Sequence, residues 1–159
     1  KQITDSSTIM KRIVSIALIG LLSIAASFQM MAQTKIIKGD NPYDDVLYNF
    51  DGQFLRSGKS EYSEVIYNWD GQYLRKGSSK YATILYNFDG KNFRQGDSRY
   101  GKVLYNWDGQ YLRQGESQYG NVLYNFDGKN VRLGKSRYSN VLFHISGTLP
   151  AAVLILLLM

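Results

Sequence analysis

The chain has 159 residues, a formal charge of +6, 44% hydrophobic and 20% charged residues; this excludes a disordered composition and fits one domain of ordinary size. It contains no cysteine, which excludes disulfides, thiolate metal sites and a lipid-modified N-terminal cysteine. Thirteen tyrosines and fifteen glycines against two prolines suit strands and tight turns better than helices.

The first element is an address. Met10-Lys11-Arg12 is a short basic start, and Ile13 to Ala26 is an apolar run broken only by Ser and Gly. This is the layout of a secretory signal peptide, and the run is shorter than the ~20 residues a spanning helix needs. The expected cleavage follows Ser27 or Ala32. Residues 1–32 are therefore set apart, and residues 33–159 are taken as the mature domain. An uncleaved anchor helix is the alternative. Residues 1–32 carry Lys1, Lys11 and Arg12 against Asp5, which leaves +4 on the remainder. A modest charge of mixed signs suits anionic glycans or envelope surfaces and does not suit a nucleic-acid partner.

Next comes a 19-residue repeat: Val46–Glu64, Val65–Thr83, Ile84–Lys102, Val103–Asn121 and Val122–Asn140. Tyr recurs at 48, 67, 86, 105 and 124, and Asp-Gly begins at 51, 70, 89, 108 and 127. Each unit reads as two strands. A β-prone Val-Leu-Tyr-Asn leads into an Asn-aromatic-Asp-Gly turn, and a strand such as Gln-Phe-Leu-Arg follows. A three-residue loop with Asn first and Gly at positive φ is one register; a two-residue Asp-Gly turn is the competing one. The Gly-x-Ser stretch at Gly58 and its copies turns the chain into the next unit. No window sustains a 3.6-residue period, so helix is not expected.

The ends complete the pattern. Gly39 and Tyr43 fall 19 residues before Gly58 and Tyr62, so Ile36 to Tyr43 is a second half-unit. Val141 to Gly147 is a first half-unit. The fold class is therefore all-β, with five whole hairpin units and two complementary halves. Pairing of the halves would close the array as a barrel or propeller-like ring and remove its exposed edges. An open, capped hairpin solenoid is the alternative. The segment 148–159 ends in Ala151 to Met159, nine residues without a polar side chain. It is expected to be a buried strand or plug over the repeat core; a membrane-contacting or partner-docking tail is the alternative.

The residues that carry chemistry recur five times rather than converging once, which is the opposite of an enzyme site. The single histidine, His144, replaces the repeat Asn. No enzyme activity and no cofactor are expected. The recurring Asn-x-Asp-Gly raises calcium, but such loops need more acidic groups at alternate positions. The residue two before each Asn is Leu47, Ile66, Leu85, Leu104 or Leu123. No metal site is assigned.

The tyrosine rows beginning at Tyr48 and Tyr62 are read mainly as core. The aromatic before each Asp alternates: Phe50, Trp69, Phe88, Trp107, Phe126. Placed at exposed turn tips beside Asn, Asp and Arg, these rings are the candidate ligand-binding residues, Trp69 and Trp107 above all, because flat aromatics stack on sugar rings. The arginine row, Arg56, Arg75, Arg94, Arg113 and Arg132, is the second candidate set. It would present a basic stripe to an anionic polymer, or pair with the aspartate row.

Tyr105-Asn106-Trp107-Asp108-Gly109, followed by Gly115, resembles the aromatic and Asp-Gly pattern of choline-binding and cell-wall-binding repeats. The Tyr-Asn…Gly spacing is also similar to the YD repeats of large secreted bacterial shells. The similarity spans Val46 to Asn140. It implies an envelope or surface adhesion role. The expectation is an exported, non-enzymatic module for polysaccharide or cell-wall polymer. The alternative is a structural or assembly protein with buried aromatic ladders that packs against its own copies or an envelope partner.

Overall fold

The structure is a computed structural model that describes residues 33–159; the expected signal segment lies outside the described residues. Twelve strands are present among the described residues. They are β1 (Thr34–Lys38), β2 (Val46–Phe50), β3 (Phe54–Ser57), β4 (Val65–Trp69), β5 (Tyr73–Lys76) and β6 (Ile84–Phe88). The series continues with β7 (Asn92–Gln95), β8 (Val103–Trp107), β9 (Tyr111–Gln114), β10 (Val122–Phe126), β11 (Asn130–Leu133) and β12 (Val141–Ser146). Each pairs antiparallel with its neighbours in sequence, and β1 pairs with β12, so the sheet closes into one barrel. Closure settles the choice against the open solenoid. It leaves no strand edge unpaired.

Three local devices, repeated, build the ring. The short turn is the first. Phe50 pairs with Leu55, and the Asp51 N–H donates to the Phe54 carbonyl at 3.3 Å, so Gly52 and Gln53 are the two central residues. Gly52 has φ +102° and no described non-glycine residue has positive φ. This is a primed two-residue turn with glycine first, the kind whose twist matches the flanking strands. It corrects both expected registers, because the turn lies one residue later than an Asp-Gly turn would.

The second device is a bulge. Leu55 faces Tyr67 but Arg56 faces Val65, which leaves Ile66 extra, and the same shift occurs in all six pairings between successive hairpins. Bulges bend a strand and increase its twist, and here they supply curvature at regular intervals. The third device is the long loop. Gly58 has φ +67° and its N–H donates to the carbonyl of the bulge residue Leu47 at 2.7 Å. The equivalent bond at the join runs from the Gly39 N–H to the Leu142 carbonyl at 3.0 Å.

The half-units pair as expected. Ile36 faces Ile145 and Lys38 faces Phe143, in the places of Leu55 with Phe50 and Ser57 with Tyr48. Thr34 occupies the place of Gln53, and Gly147 that of Gly52. The chain thus enters and leaves the ring at the tip of the sixth hairpin. The Thr34 hydroxyl ties the seam by donating to the Thr148 carbonyl at 2.7 Å.

Side chains alternate along each strand. Phe50, Trp69 and Trp107 on the first strands, and Leu55, Leu74, Phe93, Leu112 and Val131 on the second strands, form one core. Twelve strands enclose more space than wall side chains fill, since about eight is the number that fills itself. The C-terminal segment fills it. Residues Ala151–Leu157 form α1, and Ala152, Val153, Leu154 and Ile155 are buried in the same cluster. The plug expectation stands in its position but the element is a helix, not a strand. Ala and Leu favour helix, and a helix apolar on every side shows no amphipathic period because every side is covered.

Candidate functional site

The polar residues of the repeat hold the hairpin. Asp51 sits where the first strand ends, and its Oδ1 accepts the N–H groups of Gln53 at 3.0 Å and Phe54 at 2.7 Å. Its Oδ2 accepts from Arg56 Nη1 at 2.6 Å. The same ion pair recurs at Asp70–Arg75, Asp89–Arg94, Asp108–Arg113 and Asp127–Arg132, at 2.5–2.6 Å. All five aspartates titrate below their ordinary value, and Asp89 and Asp127 are lowered to about 2. Partial burial acts against this shift and is outweighed by the backbone N–H groups and the arginine, which favour the charged form.

Asn49 is fully buried and closes the long loop. Its amide donates to the carbonyls of Gly58 at 2.7 Å and Ser60 at 3.0 Å. Asn68, Asn87, Asn106 and Asn125 do the same. The Ser60 hydroxyl oxygen then accepts the Tyr62 N–H at 3.2 Å. Asn, Asp, Gly, Arg, Gly and Ser thus each have a place in folding one hairpin, repeated five times.

The candidate site residues are accordingly redistributed. Phe50, Trp69 and Trp107 are buried, with the indoles 8% and 9% exposed, so they are not exposed turn-tip rings. Strand alternation turns them to the same face as Leu55, where α1 covers them. Phe88 and Phe126 are half-buried and lie against that core. Arg56, Arg75 and Arg113 each lie over the ring two residues back, Phe54, Tyr73 or Tyr111, at 5.2–5.5 Å. Together with Arg94 and Arg132 they face the aspartates. The arginine row therefore takes the paired arrangement, not a free basic stripe.

The exposed aromatics lie at the opposite end. Tyr43, Tyr62, Tyr81, Tyr100, Tyr119 and Tyr138 are 80–92% exposed, one on each long loop. In an up-and-down barrel all six long loops lie at one rim, so the tyrosines form a crown. This corrects the reading of the Tyr62 row as core; the Tyr48 row does pack against the core. A signal for the difference was present in the sequence. Tyr62 and its copies sit among Gly, Ser and charged residues, whereas Tyr48 and Phe50 alternate on an apolar strand.

The crown loops carry shallow clefts. One of about 530 Å³ is lined by Gln118, Tyr119 and Asn121 of one loop, Arg113 beneath it, and Lys135 of the next loop. Another, of about 480 Å³ at the seam, is lined by Tyr43 with Lys38, Gly39, Asp44 and Asp45.

 A third cleft, of about 490 Å³, lies at the turn rim and is lined by Trp69, Gln72, Phe88, Asp89 and Pro150. Charge varies around the crown. Lys80, Arg99 and Arg137 lie over the rings of Tyr81, Tyr100 and Tyr138 at 5.0, 4.6 and 4.9 Å. Tyr62 instead has Glu61 beside it, and that carboxylate raises the phenol above its ordinary value.

Comparison with known proteins bears on the whole ring. No curated protein and no solved structure matches the chain. The family that does match is a tandem β-repeat family, in place of the choline-binding and YD repeats that the motif resembles. Residues 34–155 match the 6-fold beta flower protein family, from the seam strand to the buried helix, and the chain belongs to that family.

Proposed function

We propose that the protein is an exported, non-enzymatic binding module that presents its tyrosine crown to a polysaccharide or cell-wall polymer. One observation carries this reading: six large aromatic side chains, one on each of six long loops, stand 80–92% exposed at one rim. Folding does not require these rings, because five of the loops are closed by Asn49, Gly58, Ser60 and their equivalents, and the Tyr43 loop by the Gly39 N–H and the Asn41 side chain. Exposed apolar surface gathered on one face marks an interaction site. A phenol offers a flat face for a sugar ring and a hydroxyl for its hydroxyls, and six weak sites on one rigid ring add by multivalency. Export rests on the basic and apolar run from Met10 to Ala26.

Co-sedimentation with insoluble polysaccharides and peptidoglycan tests the proposal. The full chain should sediment with at least one of them. A Tyr62→Ser/Tyr100→Ser/Tyr138→Ser variant should lose most of that binding while melting as the parent does. The second reading, a structural or assembly protein, is favoured by the buried aromatic core and buried tail. It is supported instead if no polymer binds and the parent forms an oligomer that the same variant abolishes.

A further inference from the structure

The crown is chemically divided. Its loops follow one another around the closed ring, so Tyr81, Tyr100, Tyr119 and Tyr138 are consecutive. Each has a cation at hand: Lys80, Arg99 and Arg137 lie over their rings, and Lys135 shares the cleft of Tyr119. None of these four cations makes an ion pair among the described residues, where the ion pairs join the repeat arginines to the turn aspartates. The remaining two tyrosines have acidic company. Lys38 shares the cleft of Tyr43 but is outnumbered there by Asp44 and Asp45, and on the Tyr62 loop Lys59 is outnumbered by Glu61 and Glu64, so both segments are net acidic.

Resting on the crown as the binding face, we infer that the arc from Tyr81 to Tyr138 binds an acidic polysaccharide, with sugar rings on the tyrosines and carboxylates on the adjoining cations. Two strands separate neighbouring loops, so the sites lie about 10 Å apart along the wall. That is the scale of a disaccharide, and it suits a polymer with one carboxylate in each disaccharide. A nucleic acid is a poorer match, since duplex DNA carries a charge every ~1.7 Å. The acidic arc repels the same polymer and confines it to four loops.

The test titrates the full chain with hyaluronate, which carries one carboxylate per disaccharide, and with its carboxyl-reduced, neutral form. A Lys80→Ser/Arg99→Ser/Lys135→Ser/Arg137→Ser variant, with every tyrosine retained, is titrated in parallel. The parent should prefer hyaluronate about tenfold, because four exposed charge contacts each contribute modestly, and added salt should erase the preference. The variant should bind both forms alike. Equal binding of the two forms by the parent, dependent on the tyrosines, would overturn this inference and leave the crown as the binding face. Binding of neither form, with no other polysaccharide bound, would overturn both. Stronger binding to duplex DNA or anionic vesicles than to hyaluronate would overturn the assignment of ligand class.

Discussion

The buried asparagine is the residue on which each long loop depends, and Asn106→Ala isolates its contribution. Asn106 is 1% exposed, and its amide donates to the Gly115 and Ser117 carbonyls, each at 2.9 Å. Two neutral hydrogen bonds contribute about 1 kcal/mol each. Ser117 is exposed and water replaces its lost partner, but Gly115 is half-buried and its carbonyl is satisfied less well. The expected loss is about 2–3 kcal/mol, or roughly 10 °C in melting temperature for a domain of this size. Thermal unfolding followed by circular dichroism measures it. The Asn68→Ala change lies two hairpins away with no shared partner, so the double variant should show the sum of the single losses. A melting temperature for Asn106→Ala within a degree or so of the parent would refute the clamp, and the repeat Asn would need another explanation.

The other expectations concern the seam, the turns and acid. Gly109 has φ +98° and open space around a new Cβ, whereas a Cβ on Gly147 would stand 3.0 Å from Thr34 Cα. Gly109→Ala should cost about 1–2 kcal/mol from backbone strain alone, and Gly147→Ala measurably more in the same chemical denaturation assay. Ile36 is fully buried on the strand that closes the ring, so Ile36→Ala should cost about 2–4 kcal/mol in a single cooperative transition; loss of one end unit alone would contradict closure. The turn aspartates have folded values below the unfolded value of 3.8, so their contribution is complete above that pH and is lost as pH falls toward about 2. Melting temperature should therefore decline between about pH 4 and pH 2, and Asp89→Asn/Asp127→Asn should flatten the decline.

Much of the fold was legible because the sequence repeats and its ends are complementary. Gly39 aligning with Gly58, and Val141 with Val122, already implied a sixth hairpin made from both ends, and β1 pairs with β12 accordingly. The turn register was not legible, because Asn49 has the chemistry of a turn-starting residue while its amide bonds to Gly58, nine residues away. The helix was not legible, because amphipathic periodicity signals a half-covered helix and the residues of α1 lie in the barrel core. At the candidate site, repetition marked both tyrosine rows equally. What separates them is the face each occupies, and the polar neighbours of Tyr62 were the usable clue. The tryptophans illustrate the converse: they lie next to a turn, yet Tyr67 and Trp69 share the alternation that points to the core. The split in crown charge depends on which loops are neighbours, and ring closure establishes that.

Tyrosine footprinting by nitration, with and without bound polymer, tests the crown as binding face most directly. In the free protein Tyr43, Tyr62, Tyr81, Tyr100, Tyr119 and Tyr138 should react readily, and Tyr48, Tyr67, Tyr86, Tyr105 and Tyr124 slowly. Bound polymer should protect the crown, first from Tyr81 to Tyr138, and leave the inner row unchanged. A polymer that binds tightly while all six crown tyrosines react as before would contradict it.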